Sequence, residues 1–321
     1  MPKKIYCVGG AATDRKLKSF TPLINGTSNL VTATTHFGGV ARNVAENLAN
    51  WTSNIFLHTI VGEDDDGVHL LSSIKRQGVD ISQSIILKAA RTANYYAVLD
   101  PDGELHISLA DMAIFDLIPF TRFSQGFSTW DEGSIVFMDT NLTPEIIAAI
   151  MRIANEKMLR LCVDPVSLMK SQKIGIDLHG IYLIKPNPVE AQAITGVRVD
   201  NINQALIAGE KLLELGAENA VITLGKDGYV IVNHEIKEHV SIEPIFDVIN
   251  VNGAGDAFMA GIIYGMQQGF SLRHACQWGS AAAAFTVSSP DTVAGNLTSS
   301  QLQAFIHNQK IITGRQHAEA F

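Results

Sequence analysis

Short apolar runs alternate with longer amphipathic stretches along most of this chain. The runs at 5–8, 55–61, 135–138, 159–163, 181–184, 220–224 and 229–232 read as strands, with a further β-type stretch at 236–242. Helical spacing appears where apolar positions 40, 41, 44, 45 and 48 share one face, and again at 68–77 and 144–156. From Ser134 onward, strand and helix alternate in the βαβ rhythm that predicts an α/β fold with a doubly wound, mostly parallel sheet. Residues 16–36 are polar, β-branched and irregular, with Thr27-Ser28-Asn29 and Val31-Thr32-Ala33-Thr34-Thr35 as short strands projecting from the main body. The runs 93–99 and 104–109 flank Asp100-Pro101-Asp102-Gly103, a hairpin signal. These pieces predict a small second β-sheet. No linker, low-complexity tract or fixed-period repeat interrupts residues 1–321, so one main domain with a β appendage is expected.

Composition narrows the field of partners. Hydrophobic residues at 46% and charged residues at 17% suit a packed globular chain, and no apolar run approaches the ~20 residues that span a bilayer. The formal charge of −8, with Lys/Arg clustered only at Lys3-Lys4 and Arg15-Lys16-Leu17-Lys18, argues against a nucleic-acid backbone as partner. Cys7, Cys162 and Cys276 show neither metal-ligand spacing nor a disulfide framework. Gly9-Gly10 cuts the first apolar run too short for a signal peptide, so a reduced, cytoplasmic protein is expected.

Several stretches carry candidate chemistry. In Asn250-Val251-Asn252-Gly253-Ala254-Gly255-Asp256-Ala257-Phe258, a strand-like run meets a glycine-gated turn and then a helix. Gly253 and Gly255 allow close backbone approach, and the first-turn N–H groups suit a phosphate. Asp256 beside an anion site needs a task, such as taking a proton from an attacking hydroxyl; its alternative is compensation of the helix dipole. Asp14 follows strand one, at the edge where α/β sheets bind ligands, and reads either as a substrate contact or as a turn or helix-capping residue. Gly38-Gly39 open a helix with Asn43 one turn in, a further place for a small ligand. In Gly62-Glu63-Asp64-Asp65-Asp66-Gly67 a solvated helix cap is favoured over a metal loop. Asn187 and Glu190 form a capping box or, on one helical face, hold water or Mg²⁺. Gly225-Lys226-Asp227-Gly228 is a tight turn between strands, where the glycines either admit a flat nucleotide or only turn the chain. Gly261, Gly265 and Ala281-Ala282-Ala283-Ala284 give consecutive helices small faces, which point to tight packing.

In this order, Asp14, Gly38-Gly39 with Asn43, Asn187 with Glu190, Thr223-Leu224-Gly225 with Gly228, and Gly253-Ala254-Gly255-Asp256 make the chain resemble the ribokinase-like (PfkB) kinases of carbohydrates and nucleosides. The resemblance covers almost the whole chain. It implies a ribokinase-like fold with a small β-sheet lid, here from about 16–37 and 93–110. It implies that Asp256 is the base for a primary sugar hydroxyl, with Gly253, Ala254 and Gly255 as the anion hole. Asn187 and Glu190 would be the Mg²⁺-associated pair, Glu190 and Asn187 acting through water. Asn187, Thr223, Gly225 and Gly228 would meet ATP; Asp14, Gly38, Gly39 and Asn43 would meet ribose. Two positions depart from the pattern. Asn250-Val251 replaces Asp-Thr, which puts activation by K⁺ in question, and Asn252 replaces a commoner Thr.

Within the family the chain is most similar to the pseudouridine kinases. That likeness rests on Thr27-Ser28-Asn29, Arg42-Asn43-Val44-Ala45-Glu46-Asn47-Leu48, Asp111-Met112, Asp164-Pro165-Val166-Ser167 and Ser288-Ser289-Pro290-Asp291-Thr292-Val293. The expected activity is ATP-dependent 5′-phosphorylation of pseudouridine. The alternatives are another nucleoside or sugar kinase, or a non-catalytic binder on the same fold. Unpaired lid edges lead to the expectation of a homodimer through the lid.

Overall fold

The computed structural model describes residues 2–241, 248–308 and 312–314. β1 (Ile5–Val8) opens the main sheet, and β2 (Ala12–Ser19) and β3 (Val31–Gly38) then leave it. Helix α1 (Val40–Ala49) returns the chain to β4 (Ile55–His58). A two-stranded parallel sheet of β5 (Ile60–Gly62) and β6 (Ile85–Leu87) follows, with α2 (Asp65–Arg76) between them. β7 (Asn94–Leu99) and β8 (Leu105–Asp111) form a hairpin, and short α3 (Phe120–Ser124) leads to β9 (Ile135–Asp139). Next come α4 (Pro144–Glu156), β10 (Arg160–Asp164), short α5 (Leu168–Ser171), β11 (Leu183–Ile184), α6 (Pro188–Thr195) and α7 (Ile202–Glu214). β12 (Asn219–Thr223), β13 (Tyr229–Val232) and β14 (Lys237–Ser241) are followed by α8 (Ala254–Gln267), α9 (Leu272–Val287), α10 (Ser299–Asn308) and β15 (Ile312–Gly314).

The main sheet runs β15-β14-β13-β12-β11-β10-β9-β1-β4 among the described residues. It is parallel from β4 to β12 and antiparallel beyond. Strand residues alternate between two apolar layers because successive side chains point to opposite faces. Tyr6, Val8, Val136 and Met138 pack with α4 and α7 on one face. Ile5, Cys7, Ile135 and Phe137 pack with α1, α8 and α9 on the other. Burial on both faces is what makes the parallel strands continuous apolar runs. Between α8 and α9 the glycines permit near contact: a Cβ on Gly261 would lie 2.5 Å from the Trp278 carbonyl oxygen, and one on Gly265 2.7 Å from Ala275 Cα. The small faces of these helices pack against each other.

A separate four-stranded sheet, ordered β3-β2-β7-β8, is built from the polar stretches. Its outer strands β3 and β8 are almost wholly exposed. Several local expectations change. β2 begins at Ala12, so Asp14 lies within a strand and not at a turn or helix cap. Thr27-Ser28-Asn29 is loop, shaped by the Asn29 amide, which bonds backbone groups of Ile24 and Thr27. The run 55–61 breaks at Thr59, whose hydroxyl donates to the Gly9 carbonyl at 2.6 Å, and the chain changes sheets there. The helix expected at 68–77 starts at Asp65 because Asp64 caps it, accepting from Gly67 N, so the acidic turn is the helix start. The run 181–184 keeps ladder pairing only at Leu183–Ile184. Cys7, Cys162 and Cys276 are free and buried, and no helix among the described residues is long and apolar enough to cross a membrane.

Candidate active site

The parallel strands deliver polar residues to one edge of the sheet, the carboxyl edge where α/β folds bind ligands. β9 ends in Asp139 and β10 in Asp164, which are register partners, and Lys185 follows β11. Buried Asp139 accepts from Gly10 N (2.8 Å), Ala41 N (2.9 Å), Asn141 N (2.9 Å) and Asn141 Nδ2 (3.0 Å). Burial raises its pKa and these four donors oppose the rise. The carboxylate thereby ties the loop after β1 to the start of α1. Gly39, at φ +95°, lets the α1 entrance lie against that loop: a Cβ there would stand 2.5 Å from the Gly10 carbonyl oxygen. A Cβ on Gly38 would collide with the Asp14 carboxylate. Burial pushes the Asp14 pKa up to about 6, with Arg42 opposing the rise.

Asp256 lies in the first turn of α8. Gly253 precedes that helix at φ +81°, and a side chain there would strike the Thr292 carbonyl oxygen. Among the described residues the N–H groups of Gly253 and Gly255 have no protein acceptor, and that of Ala254 has a long 3.4 Å bond to Val251 O. The Asp256 carboxylate accepts from Asn43 Nδ2 at 2.7 Å. Its pKa is pushed up to about 7 by burial and then by Asp164, against the Asn43 hydrogen bond and the Lys185 charge. Lys185 Nζ pairs with Asp164 at 2.9 Å, with side chains only 5% and 7% exposed. Burial alone would lower the Lys185 pKa, but Asp164 holds it raised. The ammonium stands 3.5 Å from where a Gly255 Cβ would be, an ordinary contact distance, which places Lys185 beside the first turn of α8.

A second neighbourhood lies behind this pair. Asn187 and Glu190 form a reciprocal capping box: Asn187 N and Nδ2 donate to the Glu190 carboxylate at 2.9 and 2.8 Å, and Glu190 N donates to Asn187 Oδ1 at 3.0 Å. Burial, then Asp164, pushes Glu190 up to about 7. Thr223 N donates to the Pro186 carbonyl at 3.1 Å, which joins the end of β12 to the same loop. Gly225 (φ +62°) faces open space, whereas a Cβ on Gly228 (φ +86°) would strike the Val240 carbonyl oxygen.

Between the small sheet and the carboxyl edge lies a cleft of about 860 Å³, lined by Asp14, Gly39, Asn43 and Gly253 with Tyr95 and Met112 among others. Asp14, Gly39, Asn43 and Gly253 thus meet in one cleft, while Gly38, Ala254, Gly255 and Asp256 stand outside its lining, Gly38 against Asp14 and Asp256 joined to it through Asn43. The structure also sets Asn187, Glu190, Thr223, Gly225 and Gly228 outside that cleft's lining. Val166, a β-branched residue at φ +66°, also lines the cleft, held by its N–H donating to Asp164 Oδ1 at 2.8 Å; such strain collects at binding sites. Sequence reasoning missed Lys185, Asp139 and Arg42. An aspartate closing an apolar strand was the available signal for Asp139 and Asp164. Among the described residues no group of three or more His, Cys, Asp or Glu could cage a metal.

A carboxylate in the first turn of an open helix N-terminus, next to a cleft at the carboxyl edge of a doubly wound sheet, can meet an anion and a proton donor of a small ligand. The chain belongs to the PfkB family: the pfkB family carbohydrate kinase profile matches residues 2–299. It has the ribokinase-like α/β fold and is a PfkB-type sugar or nucleoside kinase, an ATP-dependent enzyme. Kinases of this family use ATP and Mg²⁺. The chain is similar to the pseudouridine kinase of Escherichia coli (strain K12), with 31% identity over 225 residues, 70% of this chain and 71% of that one. It is also similar to the guanosine-inosine kinase of Exiguobacterium acetylicum, with 24% identity over 290 residues, 90% of this chain and 95% of the relative. Among solved structures, Arabidopsis thaliana ribokinase complexed with ribose and ATP superposes with a TM-score of 0.80 at 19% identity, covering 96% of this chain and 100% of that one.

Proposed function

We propose that this protein transfers the γ-phosphoryl group of ATP to the 5′-hydroxyl of pseudouridine, giving pseudouridine 5′-phosphate. The observation that carries the chemistry is the Asn43–Asp256 bond at the open end of α8. Asp256 takes the proton of the acceptor hydroxyl, and a pKa near 7 suits a base working at neutral pH. The amides of Gly253, Ala254 and Gly255 stabilise charge on the transferring group, and Lys185 adds a fixed cation beside them. Asp14, Gly38, Gly39 and Asn43 hold the ribose. Thr223, Gly225 and Gly228 with Asn187 meet ATP. The likeness to the pseudouridine kinase supports the choice of acceptor.

Both Glu190 oxygens already accept from Asn187, so the pair suits Mg²⁺ held through water and not by direct ligation. Bound there, the ion would supply charge neutralisation at the phosphates. Asn250 weighs against activation by K⁺: its Nδ2 donates to the Pro290 carbonyl at 3.0 Å, its Oδ1 already accepts from Asn252 N at 3.0 Å, and it carries no charge to hold the ion. We further propose one kinase domain across 1–321, with the small sheet as a lid that keeps water from the phosphoryl group. Exposed Val31, Ile107 and Leu109 on the edge strands support lid-to-lid homodimerisation, which light scattering would read. Three free thiols suit a cytoplasmic setting.

The test is an ATP-dependent phosphorylation panel of pseudouridine, uridine, adenosine and ribose, ranked by kcat/KM. Pseudouridine should lead. If another acceptor leads, the enzyme is a different PfkB-type kinase; if none in a broad panel reacts, a non-catalytic binder takes its place. The guanosine-inosine kinase likeness, longer but weaker, makes a purine nucleoside the second candidate.

A further inference from the structure

Arg42 has no place in the roles above, yet it is a charged residue 6% exposed on the buried face of α1. Burying a guanidinium is costly, and an apolar residue would suit that face better unless the charge has a task. Its contacts are specific. Nη1 donates to the Phe37 carbonyl and to Asn43 Oδ1, both at 2.7 Å, and the guanidinium pairs with Glu46 one turn on. Arginine has donors only, so the Asn43 oxygen must face it and the Asn43 NH₂ must face away. That NH₂ is the group that donates to Asp256 Oδ2.

We propose that Arg42 is a positioning residue for the base: by holding the Asn43 oxygen, it fixes the NH₂ toward Asp256 and so aims the carboxylate at the acceptor hydroxyl. The second NH₂ proton stays available for a substrate oxygen in the cleft that Asn43 lines. With an apolar residue at 42, the Asn43 oxygen loses its partner and the amide plane is no longer fixed, so the carboxylate it holds is aimed less narrowly. The charged groups around Asp256 are Arg42 from α1, Asp139 from β9, Asp164 from β10 and Lys185 after β11. Arg42 in turn faces Asp14 from β2. Burial lowers Arg42 to about 10, which leaves it charged at neutral pH.

This role rests on the proposed kinase activity, and a double-mutant cycle separates the two. Arg42→Met, Asn43→Ala and the double variant are assayed for ATP-dependent turnover of the best acceptor in the panel. Arg42→Met should lower kcat by about 10- to 100-fold, leave KM for ATP unchanged, and move the acid limb of the pH profile up by about 0.5 to 1 unit. The double variant should be no slower than Asn43→Ala alone, because Arg42 acts through that amide. Arg42→Lys, which keeps one donor and the charge, should recover most of the loss, and it closes the same cycle if Arg42→Met fails to fold. Losses that multiply in the double variant, or an Arg42→Met enzyme with unchanged kcat, would overturn the role while the kinase reading stands. A wild type that phosphorylates nothing overturns both.

Discussion

Replacing Asp256 with Asn should stabilise the protein while stopping the reaction. The Asn carbonyl can still accept from Asn43, and the substitution removes a carboxylate that burial, then Asp164 and Asp139, disfavour. An aspartate whose native pKa stands above its unfolded value costs stability as pH rises between the two. Below about 3.8 both states hold the proton and nothing is lost; above about 7 the cost is complete. That gap corresponds to about 4 kcal/mol at 1.36 kcal/mol per pH unit. Asp256 is only partly buried, which lets solvent screen the effect, so about 2 kcal/mol is expected. Urea unfolding of wild type and Asp256→Asn at about pH 5 and about pH 8 reads it: the variant's advantage should widen at the higher pH. In parallel, kcat should fall by about 10² to 10⁴. An advantage that does not grow with pH would refute the account of the raised pKa, and unchanged turnover would remove Asp256 from the chemistry.

Gly253→Ala forces a left-handed residue against the Thr292 carbonyl and should cost about 1–3 kcal/mol in urea unfolding with loss of turnover; Gly225→Ala, left-handed in open space, should cost about 1 kcal/mol. Lys185→Met leaves Asp164 buried and unpaired, so a loss of about 3–5 kcal/mol is expected, with recovery in Lys185→Met/Asp164→Leu; equal stability of all three would show the pair to be incidental. Turnover in K⁺, Na⁺ or Tris salts at one ionic strength should be the same, and a several-fold rise in K⁺ alone would contradict the reading of Asn250.

The parallel strands were legible because two-sided burial writes a continuous apolar run, and α4 matched its expected limits because Thr143 caps it and Pro144 starts it. The break at Thr59 was not legible, since its cause is a bond to Gly9, fifty positions away. The strand that carries Asp14 was not legible, which left a turn or cap open beside the substrate contact: β2 is polar along most of its length, because one side meets a cleft and so carries no apolar signature. The site divides in the same way. Gly253 and Gly39 announced close backbone approaches, and their positive φ and would-be collisions give the reason; Gly38 makes room for the Asp14 carboxylate, and Gly255, read in the same way, meets only Lys185 at an ordinary distance. Lys185 sat unread beside Asn187 and Glu190, because a capping box accounts for its neighbours and says nothing of an ammonium reaching toward α8.

The bond from Asn43 to Asp256 joins residues 213 positions apart. During synthesis the ribosome releases Asp14, Gly38, Gly39 and Asn43, the proposed sugar contacts, long before Asp256 and the amides at the start of α8 exist. A nascent or truncated chain ending before α8 therefore carries Asp14, Gly38, Gly39 and Asn43 without means to consume ATP. If Asp256 is the base, turnover begins only once α8 docks on α1, and the appearance of activity would report completion of the fold.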